Sequence, residues 1–119
     1  MTAYEAEKFF ITTPHIHEKI HALCSLGLDH LPLGRPLSSL SGGEIQRLKL
    51  TYELLSPSKK PTLYILDEPT TGLHTHDIHA LIQVLFSLTH QGHTVVIIEH
   101  NMHIVKTADH VIELGPEGG

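Results

Sequence analysis

Three short stretches hold residue types that together could handle a phosphate chain. The first is Asp67-Glu68, two adjacent carboxylates that follow the apolar run Leu63-Tyr64-Ile65-Leu66. A strand of that composition delivers both acids at its carboxyl end, where open α/β sheets bind ligands. Asp67 is placed to hold Mg²⁺, through water, because that ion keeps most of its hydration shell. Glu68 is placed to orient or deprotonate an attacking water. The plainer reading of Asp-Glu-Pro is a polar turn closing a strand. The second stretch is Leu40-Ser41-Gly42-Gly43-Glu44-Ile45-Gln46-Arg47. Two glycines at a helix start let a ligand approach the backbone, and first-turn N–H groups favour an anion such as a γ-phosphate. A well-capped helix is the plainer reading, although it does not require Gln46 and Arg47. The third is Ile98-Glu99-His100-Asn101, a histidine just past a second apolar run, able to donate a hydrogen bond to a phosphate oxygen or a lytic water. With 12 histidines in 119 residues, position alone singles out His100.

The elements that must carry these groups can be drawn from periodicity. Thr2-x-x-Glu5 is a capping box for a short helix to about Phe10. Thr13-Pro14 opens a second helix, with Ile16, Ile20, Leu23 and Leu26 on one face and Gly27 as its stop. Residues 31–36 are a loop. Ser41-x-x-Glu44 is another capping box, and Ile45, Leu48, Tyr52 and Leu55 mark the apolar face behind it. After a turn-rich break at Ser56–Pro61, Thr62–Leu66 is a strand expected to be buried on both faces. Thr75–Thr89 is a helix facing inward through Ile78, Leu81, Ile82, Leu85 and Leu88, and Gly92 ends it. Thr94–Ile98 is a second strand, Asn101 caps a short helix to about Ala108, and Val111–Leu114 is a third strand. Strand, helix and strand on short links predict a parallel sheet with a right-handed crossover.

Composition excludes several classes. An apolar content of 40% supports a packed core, so disorder is not expected. The net charge is −5, and the chain lacks the basic stripe of a free-standing nucleic-acid binder. Cys24 is the single cysteine, which rules out an internal disulfide and a multi-cysteine zinc site. His74-x-His76-x-x-His79 raises zinc, but no third ligand in suitable geometry is evident, so no zinc is expected. His15, His17 and His21 are expected to face solvent. No apolar run approaches the roughly 20 residues of a membrane span, so no membrane contact and a cytoplasmic location are expected. One part of the machine is missing: the chain has no G-x-x-x-x-G-K-[ST] loop and not one Gly-Lys pair.

Taken together, the Ser41–Arg47 stretch, the carboxylate strand and the strand-end histidine resemble the ABC ATPases. Asp67–His74 (DEPTTGLH), Glu99–Asn101 (EHN) and Val111–Gly119 (VIELGPEGG) narrow this to the UvrA family of excision-repair damage-recognition proteins, specifically to its C-terminal nucleotide-binding half. The resemblance covers nearly the whole chain. It implies an α/β fold: a partial P-loop NTPase of ABC type, with a helical signature region (1–60) and then a mostly parallel sheet with flanking helices (61–119), lacking the phosphate-loop (Walker A) strand. It implies that Ser41, Gly42, Gly43 and Gln46 bind ATP held on an opposite domain, that Asp67 holds Mg²⁺, that Glu68 and His100 are catalytic, and that Thr71, Gly72, Leu73 and His74 form the D-loop between facing sites. Glu44 stands where many transporters have Gln. The implied partners are the rest of a UvrA polypeptide, a second UvrA subunit, and UvrB and damaged DNA through regions outside these residues. Without the phosphate loop the chain is expected to be a fragment, a truncated frame or an excised domain. It is expected to be inactive alone, and marginally stable or oligomeric. Two alternatives stay open: a non-catalytic interaction fragment, or an ABC ATPase of another branch, such as a transporter subunit.

Overall fold

A computed structural model describes residues 1–56 and 60–116. The middle of the Ser56–Pro61 break, Lys59 of the Lys59-Lys60 pair and the Gly118-Gly119 end lie outside the described residues. The elements in chain order are α1 (Ala3–Phe9), α2 (Pro14–Ser25), a single 3₁₀ turn at Leu37–Ser39, α3 (Gly42–Leu55), β1 (Leu63–Asp67), α4 (Thr75–His90), β2 (Thr94–Ile98) and α5 (Met102–Val105).

Local chemistry sets most boundaries. Both arms of the Thr2/Glu5 capping box are made, and they start α1. Pro14 occupies the first turn of α2, where its missing N–H costs nothing. The chain leaves α2 through Gly27 at φ +74°, and a Cβ there would come within 2.6 Å of Leu73 Cδ2. Gly27 is therefore fixed by backbone and by packing alike. Asn101 caps α5 by accepting from the His103 N–H, but the helix stops at Val105, not near Ala108.

Two apolar clusters hold the elements. Ala3, Ala6 and Ile20 join α1 to α2, with Phe10 and Cys24 against them. The main cluster packs α4 onto one face of the sheet. It takes Ile78, Leu81, Ile82, Leu85 and Leu88 from α4, the stripe the sequence predicts, with Leu26, Leu50, Leu66 and Ile104. Burial, and then Glu7, push the Cys24 thiol up to about 12, which leaves it unreactive at neutral pH. His15 and His21 are exposed, whereas His17 is half-buried. His21 Nδ1 sits 2.6 Å from Glu7 Oε1.

β1 and β2 run parallel, in register from Leu63 opposite Thr94 to Asp67 opposite Ile98, with α4 as the crossover. Three expectations need correction here. The strands are not buried on both faces. Tyr64, Leu66, Val95 and Ile97 face α4, while Leu63, Ile65, Val96 and Ile98 are exposed on the opposite face. Nothing among the described residues supplies a second layer. Val111–Leu114 forms no strand. Its Val111 and Ile112 line a groove of about 420 Å³ beside β2, and Ile112 is 81% exposed, so an apolar segment alone did not secure a ladder. On α3 the buried positions are Gly43, Arg47, Leu50 and Thr51, whereas Tyr52 is 69% exposed. A buried arginine and threonine displaced the apolar face predicted from Ile45, Leu48, Tyr52 and Leu55.

The open face has a measurable consequence. Fully burying one side chain of this kind is worth roughly 1.5–3 kcal/mol, and a row of four is a strong drive to self-association. Sedimentation at micromolar concentration should show a dimer or larger species. Ile65→Lys should move the population to monomer with helix content unchanged. A stable wild-type monomer at those concentrations would refute the expectation.

Candidate functional site

The short parallel crossover brings the carboxyl ends of β1 and β2 side by side. The Glu68 N–H donates to the Ile98 carbonyl (2.8 Å), which carries the ladder one residue past β1. There Glu68 adopts φ +45°, the one described non-glycine residue in the left-handed region. It also precedes Pro69, so the conformation is strained on two counts. Strain of this kind, of order 1–3 kcal/mol, concentrates at functional positions. The outcome is a contact between two predicted site residues: His100 Nε2 lies 3.3 Å from Glu68 Oε1. Both side chains remain open to solvent, 78% for His100 and 51% for Glu68.

Asp67 is exposed at the end of β1. Its backbone is fully engaged by Gln46, whose Oε1 accepts the Asp67 N–H (2.8 Å) and whose Nε2 donates to the Asp67 carbonyl. The Gln46 amide thus docks α3 on the site and is not turned toward a ligand. Among the described residues no group of three His, Cys, Asp or Glu side chains is placed to hold a metal. One exposed carboxylate still suits Mg²⁺, which commonly takes one or two protein oxygens and completes its shell with water and phosphate. Asp67 fits that role.

At the α3 start, Ser41 accepts from the Glu44 N–H (3.2 Å), and its hydroxyl donates to Glu44 Oε1 (3.1 Å). The predicted box is half made: the Glu44 carboxylate meets the Ser41 hydroxyl and not its backbone N–H. The two glycines differ. A Cβ on Gly42 would meet nothing within 4 Å, so its backbone is approachable. A Cβ on Gly43 would lie 3.0 Å from the Thr71 carbonyl and 3.0 Å from Arg47 Nη1. The close approach at Gly43 therefore comes from within the chain. Gly43→Ala should cost about 1–3 kcal/mol through this overpacking, whereas Gly42→Ala should be stabilising or neutral, because alanine is the better helix former. Chemical denaturation of the two variants checks this, and equal effects would contradict it.

The predicted D-loop is built from two successive turns. The Thr71 N–H donates to the Glu68 carbonyl (3.1 Å) and the Leu73 N–H to the Thr70 carbonyl (3.0 Å), with Gly72 at φ +77°. Thr71 and Gly72 are exposed, Leu73 turns into the main cluster, and His74 is the exposed N-cap residue of α4. Two residues that sequence reasoning left without a role hold this loop. Arg47, 2% exposed, donates through Nη1 to the carbonyls of Pro69 (3.1 Å) and Thr71 (3.0 Å). Burial lowers the Arg47 pKa, with Glu44 and Asp77 opposing. Glu99 accepts from the Thr70 N–H (3.0 Å), the Thr70 hydroxyl, and the N–H groups of His100 (2.9 Å) and Asn101 (3.0 Å). Burial pushes the Glu99 carboxyl up, but the hydrogen bonds from Thr70, Asn101 and His100 outweigh it and hold the group below its ordinary value. The cue for Arg47 was its place next to Gln46. Glu99 had only its place between an apolar strand and His100.

The 119 residues can now be set beside known proteins. The AAA domain family described as "AAA domain, putative AbiEii toxin, Type IV TA system" matches residues 11–106. The chain belongs to this AAA domain family. This AAA-domain chain is also 79% identical over all its 119 residues to UvrABC system protein A of Chlamydia pneumoniae, of which it spans 6%. It is 55% identical over the same length to UvrABC system protein A of Clostridium acetobutylicum, of which it spans 13%. The crystal structure of UvrA2 from Deinococcus radiodurans matches 92% of it at 41% identity with a TM-score of 0.77, covering 13% of that chain. The resemblance to UvrA therefore holds across the whole chain, which corresponds to a small part of those relatives. The fold of the AAA-domain chain is a partial P-loop ATPase fold of ABC type. No helix among the described residues is long and apolar enough to cross a membrane.

Proposed function

We propose that this chain supplies part of an ATP-hydrolysing site of UvrA type, serving recognition of damaged DNA in excision repair. The observation that carries the reading is the 3.3 Å approach of His100 Nε2 to the Glu68 carboxylate, beside Asp67, at the ends of two adjacent parallel strands. Glu68 takes or directs the proton of the attacking water, and His100 donates a hydrogen bond to a phosphate oxygen or to that water. Asp67 holds Mg²⁺, which neutralises charge on the phosphates when bound. Ser41 and Gly42, at the open start of α3, meet the phosphate of a nucleotide held by an opposing domain. Gly43 and Gln46 serve the same surface by placing α3, since their close contacts are with Arg47, Thr71 and Asp67. In the Thr71–His74 loop, Thr71, Gly72 and His74 face the second site, and Leu73 anchors the loop on the core.

In this reading residues 1–60 form the signature part and 61–119 the carboxylate and histidine part, sharing one apolar core through Leu26, Leu50 and Leu66. The partners are the remainder of a UvrA polypeptide, a second such subunit, UvrB and damaged DNA, in the cytoplasm. Nothing in the described residues offers the lysine and backbone cradle that a β-phosphate needs. The test is paired. The chain alone should hydrolyse no ATP. The same 119 residues, replacing the matching segment of the Chlamydia pneumoniae relative, should support turnover. Hydrolysis by the chain alone, or none by the hybrid when the unaltered relative is active, would reject the reading.

A further inference from the structure

Glu99 lies between the two halves of the site without touching either reacting group. One carboxylate oxygen, Oε1, accepts from the backbone N–H and the hydroxyl of Thr70, in the turn directly behind Glu68. The other, Oε2, accepts from the backbone N–H groups of His100 and Asn101, where the chain leaves β2. Arg47 grips the opposite side of the same turn through the Pro69 and Thr71 carbonyls, but makes no hydrogen bond to the His100 segment among the described residues. Apart from the Glu68–His100 contact itself, the two segments thus share a backbone ladder bond, from Glu68 N–H to the Ile98 carbonyl, and the Glu99 side chain.

We infer that Glu99 is a positioning residue whose carboxylate staples the Glu68 turn to the His100 segment and thereby sets the distance between the acid and the imidazole. The inference rests on the hydrolytic reading of Glu68 and His100. The chemistry explains why a carboxylate is needed. Both oxygens must accept, and each takes two donors, which an ionised acid can do. Glutamine offers one accepting oxygen and would turn its NH₂ toward donors on the other side. Aspartate keeps both acceptors but is one methylene shorter, so it can hold one segment and not both. Small displacements of positioned groups are expensive in rate, while ground-state affinity for a nucleotide bound mainly elsewhere is little affected.

The test uses the hybrid described above and the chain itself. In the hybrid, Glu99→Gln should lower kcat about tenfold or more while KM for ATP stays within about twofold, as loss of an orienting partner does. Glu99→Asp should recover part of the rate. Thr70→Val should lower kcat less, and Glu99→Gln with Thr70→Val should be no worse than Glu99→Gln alone, because both remove the same link. In the 119-residue chain, Glu99→Gln should speed amide exchange about tenfold at Thr70, His100 and Asn101, with Leu81 and Leu85 of α4 unchanged. An unchanged kcat, additive losses in the double variant, or exchange that rises equally across α4 would overturn the inference. If the unaltered hybrid shows no turnover, the hydrolytic reading is what fails. The exchange data then judge the staple alone: retained protection at Thr70, His100 and Asn101 overturns it, and selective loss upholds it.

Discussion

Glu68→Gln, carried in the hybrid protein, should leave ATP binding intact and reduce turnover by about 10²–10⁴-fold, the usual contribution of a positioned general base. That equals roughly 3–5.5 kcal/mol of barrier. The substitution isolates chemistry from architecture for two reasons. Glutamine has the same shape, and at φ +45° it carries the same backbone strain as glutamate, so the folded state is not favoured or penalised by the change. The amide oxygen can also keep the His100 contact now made at 3.3 Å. What disappears is the ability to accept a proton. Equilibrium nucleotide binding and single-turnover hydrolysis, measured on the same preparation, separate the two effects. Turnover within about threefold of the parent would remove Glu68 from the chemistry, because no base worth 10² could be lost so cheaply.

Arg47→Ala should be strongly destabilising, at about 2–4 kcal/mol. The side chain is one of the largest that are fully buried, and truncation leaves a void where α3 meets the loop behind Glu68. It also strips the donor from the Pro69 and Thr71 carbonyls at once. A stability of 5–15 kcal/mol is ordinary for a whole domain, and a chain with one sheet face open stands at the low end. Thermal unfolding should therefore move down by on the order of 10 °C. Arg47→Lys keeps the charge and several donors on one nitrogen, but its shorter, unbranched side chain fills less of the void and falls short of the position Nη1 holds between the two carbonyls, so it should fall between alanine and the parent. Lys49→Ala, on the exposed side of the same helix, should change stability by less than about 0.5 kcal/mol. A drop at Arg47 no larger than at Lys49 would contradict the clamp.

The parts of the fold visible from sequence are those governed by contacts inside the chain. The α4 stripe, the Thr2/Glu5 box and both strands follow from spacing, and the α4 crossover then requires Glu68 and His100 to sit at neighbouring strand ends. What periodicity missed has two sources. Leu63–Leu66 reads as a doubly covered strand because its composition describes a larger sheet than these residues build, and Val111–Leu114 misled for the same reason. Arg47 and Glu99 were missed because the loop they hold offers them backbone carbonyls and an N–H group 22 to 29 residues away. A side chain that answers backbone from another loop leaves no periodic trace.

The amide of Gln46 also decides how neighbouring copies of this chain can meet. The outward-facing peptide groups of β1 belong to Leu63, Ile65 and Asp67, since the even positions bond β2, and Gln46 already occupies the last of the three. A foreign strand could therefore zip along only two rungs before striking a side chain that cannot be displaced without loosening α3. Edge-to-edge growth, the route to open-ended fibrils, is blunted at its start. Aggregation of this chain should favour closed, countable assemblies joined face to face over threads.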